Sequence, residues 1–186
     1  MIHNKNDLQE YLQSDKVALG RKENHPRITD YIWKYEILLR KCEYVNNCVK
    51  NPLVRFLWGG VIRYRRSILG ARCGFSIPIN CVGKGLCIAH IGPIIINPYA
   101  SVGENCRVHV GVNIGADARI SDAAPIIGNN IYIGPGAKLF GKIEIADGIA
   151  IGANAVVNKS FLEQDISIAG VPAKKVGAVG TKGILY

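Results

Sequence analysis

The sequence lacks any apolar run of the roughly 18 to 20 residues that a membrane-spanning helix requires. Its first residues, MIHNKNDLQEYL, lack the apolar segment of an export signal. Six cysteines are present, but they form no C-x-x-C pair and their spacings match no zinc site. We therefore expect reduced thiols, no bound metal and a cytoplasmic location.

Negative charge is outnumbered two to one by positive charge in the first part of the chain. Residues 1–72 hold 14 Lys and Arg against 7 Asp and Glu, so they carry +7 of the formal charge of +9. Such an excess is compatible with a nucleic acid, an anionic membrane surface or a phosphorylated ligand, and equally with a solvated basic helix face. No recognisable nucleic-acid-binding module accompanies the charge, so we expect no nucleic-acid partner.

Residues 1–72 have the spacing of helices. The segments NDLQEYLQSDKVAL, RITDYIWKYEILLRKCEYV and NPLVRFLWGGVIRYRRSIL predict two or three helices, the last with a proline in its first turn. Gly59 and Gly60 are a weak point of that last helix. Its RFLWGGVIRYRR stretch could rest on a membrane surface or pack against the rest of the molecule, so peripheral membrane contact stays open.

From residue 73 onward, aliphatic residues recur every six positions. The unbroken set is Ile127, Ile133, Leu139, Ile145, Ile151 and Val157. The same spacing holds upstream for Ile96, Val102, Val108, Ile114 and Ile120, and for Val82 with Ile88. The phase shifts by two residues between 88 and 96 and by one residue between 120 and 127. This period predicts a parallel β-helix over residues 73–170, followed by a C-terminal tail over 171–186.

The repeat region resembles a known family. The resemblance rests on VGKGLCIAHIGPIIINPYASVGENCRVHVGVNIG, PIIGNNIYIGPGAKLFGKIEIADGIAIGANAVVNKS and IAGVPAKKVG, and it covers about residues 73 to 178. These segments are similar to the left-handed β-helix hexapeptide-repeat acyltransferases, in the serine acetyltransferase-like branch with its polysaccharide-associated relatives. The resemblance implies a mostly β fold with an α-helical arm, acetyl-CoA as cosubstrate, and a homotrimer, with a hexamer as the alternative.

A histidine in an aliphatic run is the candidate catalytic residue. GKGLCIAH, which ends at His90, matches the motif that supplies the general base in that branch. Neutral imidazole, with an ordinary pKa near ~6.5, can take a hydroxyl proton at neutral pH. Counting places Val108 above Ile88, so His109 falls at the same corner as His90 and is a candidate acceptor-binding residue. Arg119 is a second acceptor-binding candidate.

Six residues match positions that contact the cosubstrate in the family. Gly134, Ala153, Asn158 and Lys159 match pantetheine contacts, and Lys174 and Lys175 match the basic end that meets phosphates. The geometry of the repeat would require small residues at these turns even without a ligand. The two lysines would also be expected if they were simply solvated side chains near the end of the chain.

Several departures from the serine enzymes concern the acceptor. Ala89 replaces the aspartate that precedes the base, and the aspartate about fifteen residues earlier corresponds to Phe75 or Ser76. Ala123, Ala124 and Pro125 replace an Arg-His-Pro segment whose arginine reads the carboxylate of serine. These losses favour a sugar hydroxyl of a surface polysaccharide as acceptor, with serine as the alternative.

Two other classes remain to be weighed against an acetyltransferase. A zinc carbonic anhydrase on the same prism needs three histidine ligands, and the repeat region holds only His90 and His109. A β-helix that binds a ligand or serves as a structural element without catalysis is the non-enzymatic alternative.

Overall fold

The arm consists of three helices. The computed structural model describes residues 1–120 and 122–185, and within them the helices are α1 (Lys5–Ala18), α2 (Tyr31–Cys48) and α3 (Pro52–Cys73). Asn4, Asp30 and Asn51 cap their first turns by accepting backbone N–H bonds. The prediction of helices before residue 73 is therefore confirmed.

Gly59 and Gly60 do not interrupt α3. A Cβ at Gly59 would lie 2.9 Å from the Val45 side chain of α2, so the glycine lets the two helices approach closely. Helix α3 ends instead at Gly74, whose φ of 79° lies in the left-handed region.

Fourteen short strands follow in the described part of the chain. They are β1 (Phe75–Ser76), β2 (Cys87–Ile88), β3 (Ile94–Ile96), β4 (Ser101–Val102), β5 (Arg107–Val108), β6 (Asn113–Gly115), β7 (Ile126–Ile127), β8 (Tyr132–Ile133), β9 (Lys138–Phe140), β10 (Glu144–Ile145), β11 (Ala150–Ile151), β12 (Val156–Val157), β13 (Ser167–Ala169) and β14 (Lys174–Gly177).

The strands form three sheets, one for each face of a prism. Sheet 1 has the order β1-β3-β6-β9-β12, sheet 2 the order β4-β7-β10, and sheet 3 the order β2-β5-β8-β11-β13-β14. Leu139 pairs with Val157, 18 residues later, so one regular coil contains three units of six residues. The aliphatic residues of the unbroken set are all buried and stack inside the prism, which confirms the predicted repeat.

One predicted repeat position is wrong. Ile120 is 57% exposed and lies on a loop between β6 and β7. Ile114 pairs with Leu139, 25 residues later, so this coil is seven residues longer than a regular one. The insertion is a seven-residue excursion from the prism and not a one-residue shift. Ile120 falls in phase with the repeat by coincidence, because its loop leaves the prism before that position.

Arg40 joins the arm to the first coil from inside the molecule. Its guanidinium is fully buried and bonds to Asp15 of α1 at 2.7 Å and to Glu43 of α2 at 3.1 Å. It also donates to the backbone carbonyls of Val82, at 2.9 Å, and Gly83, at 2.6 Å. The arginine therefore satisfies carbonyls at the open end of the prism.

Three buried carboxyl groups satisfy N–H groups at the same end. The bonds run from Leu86 N to Asp15 at 2.9 Å, from Ile88 N to Glu36 at 3.1 Å and from Asn80 N to Glu43 at 2.9 Å. An exposed strand edge would leave these donors unpaired or open to another chain. Side chains of the arm thus take the place of a preceding coil.

The other end of the prism is closed by the chain itself. β14 runs antiparallel to β13, whereas the other neighbouring strands are parallel. Residues 174–177 of the predicted tail therefore belong to sheet 3, and Tyr186, the last residue of that tail, lies outside the described residues.

No described helix is both long and apolar enough to cross a membrane.

Candidate active site

His90 and His109 lie at one corner of the prism. Ile88 of β2 pairs with Val108 of β5, as predicted by counting, and the N–H of Ala89 donates to the Val108 carbonyl at 3.0 Å. The two imidazole rings have centroids 5.8 Å apart and planes tilted by 57°. Neighbouring coils therefore bring together two residues that are 19 positions apart in the chain.

The environment of His109 favours its neutral form. Its Nε2 atom is buried and has no hydrogen-bond partner among the described residues. Burial, the positive charge of Arg107 and the neighbouring His90 lower the pKa of His109 below its ordinary value, in that order of importance. A neutral imidazole can accept or donate one hydrogen bond, as a polar acceptor molecule would require.

His90 is the more accessible of the two histidines. It lies two residues beyond the end of β2 and is exposed, whereas His109 is half-buried. Phe75 is buried against Tyr35, with ring centroids 5.1 Å apart, and Ser76 is exposed on β1. At the positions for which the resemblance implies aspartates, the chain therefore holds Ala89, the phenyl ring of Phe75 and the hydroxyl of Ser76, and none of them supplies a carboxylate.

Tyr132 is a neighbour that sequence reasoning missed. Its ring centroid lies 4.9 Å from that of His109, at an angle of 56°. Tyr132 pairs with Arg107 across β5 and β8, so its side chain lies on the outer surface of sheet 3. Its position just before the inward Ile133 predicts that outward direction, but the sequence does not reveal the ring contact.

Arg119 belongs to a different segment from the two histidines, which follow β2 and β5. It is exposed on the loop between β6 and β7, where its backbone N–H donates to Asp117 Oδ1 at 2.8 Å. No hydrogen bond or ring contact joins it to either histidine among residues 1–120 and 122–185. The structure therefore does not bring Arg119 into contact with the histidine pair.

Gly134 and Ala153 follow the corner that the histidines occupy. The N–H of Gly134 donates to the Ile151 carbonyl at 2.8 Å, which places the two residues on successive coils. A Cβ at Gly134 would lie 2.7 Å from that carbonyl oxygen, so coil stacking alone requires a glycine there. Ala153 is exposed, and its small side chain leaves the backbone of this corner accessible.

The remaining cosubstrate candidates lie near the end of the chain. Asn158 and Lys159 are exposed after β12, and Lys159 Nζ lies 5.4 Å from the centroid of the Phe161 ring. Lys174 and Lys175 are exposed on β14, and Lys175 forms a 2.6 Å ion pair with Glu163. An amide, exposed backbone and cations suit a ligand that combines amide and phosphate groups.

No cluster of three or more His, Cys, Asp or Glu side chains suited to a metal ion occurs in the described part of the chain. The three stacked sheets and the 18-residue coil define the class of protein as a parallel β-helix of the hexapeptide-repeat type. Comparison with known proteins then shows which proteins of that type the chain is similar to.

Curated serine acetyltransferases are similar to this chain over about half its length. The protein from Synechococcus elongatus is 31% identical over 102 residues, which cover 54% of this chain and 41% of the relative. That from Mycobacterium tuberculosis is 33% identical over 101 residues, with 54% and 44% covered. One from Helicobacter pylori is 35% identical over 96 residues, with 51% and 56% covered. No family model matches the chain.

Solved structures of serine acetyltransferases share the fold. The Brucella abortus enzyme in complex with coenzyme A superposes with a TM-score of 0.71 at 24% identity, covering 95% of this chain and 70% of that one. The soybean enzyme complexed with serine gives 0.69 at 22% identity, with 92% and 70% covered. The comparisons confirm the resemblance to hexapeptide-repeat acyltransferases of the serine acetyltransferase-like branch.

The same comparisons bear on the acceptor. The chain spans about half the length of the curated relatives that it matches. Each relative described above is a serine acetyltransferase, so the findings support the serine alternative better than the expected sugar of a polysaccharide.

Proposed function

We propose that the chain is an acetyl-CoA-dependent O-acetyltransferase that uses His90 as its general base and serine as its acceptor. The observation that carries the proposal is the pair of imidazoles, 5.8 Å apart, at one corner of a prism that resembles serine acetyltransferases. His90 is the accessible member and matches the base of the motif, whereas His109 is half-buried and burial lowers its pKa.

In this mechanism acetyl-CoA supplies an acetyl group activated as a thioester. His90 takes the proton of the acceptor hydroxyl while that oxygen attacks the acetyl carbonyl. His90 then returns the proton to the departing sulfur, so that the imidazole is neutral again after each turnover. His109, held neutral by its surroundings, hydrogen-bonds the acceptor and sets its orientation beside His90.

The proposed cosubstrate site runs along the prism away from the histidines. Ala153 leaves the backbone of the corner open to the pantetheine arm, Asn158 and Lys159 provide an amide and an ammonium group beside that arm, and Lys174 provides a cation for phosphates. Gly134 contributes through coil stacking, and the charge of Lys175 is partly neutralised by Glu163.

The decisive test measures free thiol released from acetyl-CoA by the purified protein in the presence of L-serine. Wild-type turnover is expected, and His90→Ala is expected to lower kcat by about 10²- to 10⁴-fold because the general base is lost. His3→Ala, an exposed histidine on the arm, is the matched control and should retain full turnover. Full activity in His90→Ala would contradict the assignment, and failure to bind acetyl-CoA would favour the non-catalytic β-helix.

A sugar hydroxyl is the second candidate acceptor. The absence of a carboxylate at Ala89, Phe75 and Ser76 favours it. The same thiol assay with a panel of sugars and nucleotide sugars separates the two acceptors. If the protein turns over with a sugar and not with serine, the acceptor in this proposal is the sugar and not serine.

The proposal includes a homotrimer and a cytoplasmic location. Ile95 and Phe140 are 45% and 41% exposed on the outer surface of sheet 1, which suits a contact between copies. All six cysteines are unpaired, which suits a reducing compartment.

Sedimentation equilibrium tests the proposed trimer. A trimer is expected for the wild type and a smaller species for Phe140→Lys, and a monomeric wild type would contradict the assembly.

A further inference from the structure

We propose that the outer face of α3, together with the basic groove beside it, docks the protein on an anionic phospholipid surface. The inference concerns the arm and does not rest on acetyl transfer. Five side chains define the α3 stripe, and all of them are exposed: Leu53, Leu57, Val61, Tyr64 and Ile68. Their spacing of three and four residues aligns them along one side of the helix.

Aromatic residues border the α3 stripe. Phe56 is 72% exposed, and Trp58 next to Leu57 is 44% exposed. Large apolar side chains that are scattered singly over a surface need no explanation, but a continuous stripe along a 22-residue helix does. Trp and Tyr are enriched where one part of a side chain meets lipid and another meets water.

The charges of α3 all have one sign. The helix contains Arg55, Arg63, Arg65, Arg66 and Arg72 and no aspartate or glutamate. Arg66 is used internally, because it donates to the Ile77 carbonyl at 3.3 Å. Arg65 and Arg72 are exposed and lie at helical positions close to that of Ile68. An apolar stripe accompanied by arginines is the pattern of a helix that lies in the plane of an anionic membrane.

A groove of about 620 Å³ continues from the stripe. It lies between α2, α3 and the segment before α2, and Ile68 belongs to both the stripe and the groove. Its cations are Lys34 and Lys41 from α2 and Arg65 and Arg72 from α3, and its described lining contains no carboxylate. Apolar walls with several cations suit a phosphate headgroup and the first part of its acyl chains.

A second copy of the chain is a poorer occupant of this surface. A two-fold contact places the same patch of both copies face to face. It would bring the arginines of two α3 helices together, and the helix has no carboxylate to pair with them. Phospholipid headgroups supply the missing negative charge, so the observations favour the lipid surface.

The test is co-sedimentation of the full chain with vesicles of phosphatidylcholine alone and with vesicles in which phosphatidylglycerol replaces half of it. Binding to the anionic vesicles is expected to be at least about tenfold tighter. Arg65→Gln combined with Arg72→Gln should weaken it by on the order of 10- to 30-fold, from about fivefold per cation. Leu57→Glu should weaken it by more than about tenfold, because it removes an inserted apolar side chain and adds negative charge.

Matched controls lie on other surfaces of the molecule. Val17→Glu replaces an exposed apolar residue of α1, and Lys142→Gln removes an exposed cation of the prism, so both should bind like the wild type. Thermal unfolding of each variant verifies that it is folded. Equal binding to both kinds of vesicle, or binding to neither, would overturn the proposal. If the wild type does not bind vesicles and Leu57→Glu changes the size of the oligomer, the α3 stripe is instead a contact between two copies of the chain.

Discussion

Glu36 is a buried acid whose two oxygen atoms have different surroundings. One oxygen accepts the N–H of Ile88 at 3.1 Å, and the other has no hydrogen-bond partner within the described residues. Burial, followed by the negative charge of Asp15, raises the pKa of Glu36 well above its ordinary value. The native state therefore keeps a proton that the unfolded chain releases as the pH rises above about 4.5.

We expect two substitutions of Glu36 to differ in stability. Glu36→Gln keeps an acceptor for Ile88 and removes the titrating group, so it should be more stable than the wild type at pH 8. Glu36→Ala also removes the titrating group but leaves the Ile88 N–H unpaired, so it should be about 1–3 kcal/mol less stable than Glu36→Gln at either pH. Denaturant unfolding at pH 5.5 and pH 8 measures both effects. The same loss of stability in both variants at pH 8 would contradict the protonated state of Glu36.

His109 should titrate below its ordinary pKa. Because burial and Arg107 lower the pKa in the folded state, the unfolded chain binds a proton first as the pH falls. The contribution of His109 to stability is therefore complete above about pH 6.5 and is lost as the pH falls toward the lowered value. A histidine titration followed by NMR measures the midpoint, and His109→Gln should remove this part of the pH dependence. A midpoint at or above 6.5 would contradict the assigned surroundings.

The sequence predicts the positions of residues better than their contacts. The register of Ile88 with Val108 follows from counting, and it places His90 and His109 at one corner. The contact between His109 and Tyr132 depends on side-chain rotation on the outer surface of sheet 3, which has no counterpart in the repeat pattern. The charged residues of α2 resemble a solvated helix face in sequence, although Glu36, Arg40 and Glu43 are buried.

The loop between β6 and β7 lengthens one coil of the prism. The coil from Ile114 to Leu139 is seven residues longer than the coil from Leu139 to Val157. Deletion of residues 117–123 restores the regular length and keeps Ala124, which is buried against the core. We expect the deletion variant to fold, with its far-ultraviolet circular dichroism retained and its unfolding still cooperative.

The same deletion tests a function of the loop, because it removes Arg119. If the loop binds the acceptor, KM for the acceptor should rise while binding of acetyl-CoA is unchanged. Unchanged KM values for both substrates would contradict a role for Arg119 in binding the acceptor. Loss of folding would show instead that the loop supports the prism.

The period of six predicts the prism but not this loop. Aliphatic residues stacked at each corner are required for flat coils, so the pattern marks every regular position. A loop that leaves the prism is free of that requirement, and Ile120 matches the period without being part of the core. Only the strand pairing in the structure reveals that the chain leaves the prism at this loop.

At the scale of the whole molecule, Arg40 joins two regions that differ in secondary structure. Arg40→Ala leaves Asp15 and Glu43 buried without their cation and frees two carbonyls of the first coil. We expect a loss of about 3–5 kcal/mol in the free energy of unfolding. Arg21→Ala removes a partly exposed ion pair with Asp30, formed at 3.1 Å, and should cost about 0–1 kcal/mol. Urea unfolding compares the two, and equal losses would contradict a special role for the buried network.

The antiparallel pairing of β14 with β13 has a consequence for how this architecture can change in size. The series of parallel coils stops at β13, because β14 runs in the opposite direction. Duplicating or removing a complete turn of 18 residues, such as that between Leu139 and Val157, changes the length of the prism within this series. Each such step would change the height of the prism by about 4.8 Å and leave the histidine corner and the arm untouched. Adding or removing such turns would therefore change the distance from the histidines to the basic residues of β14 in steps of one whole coil.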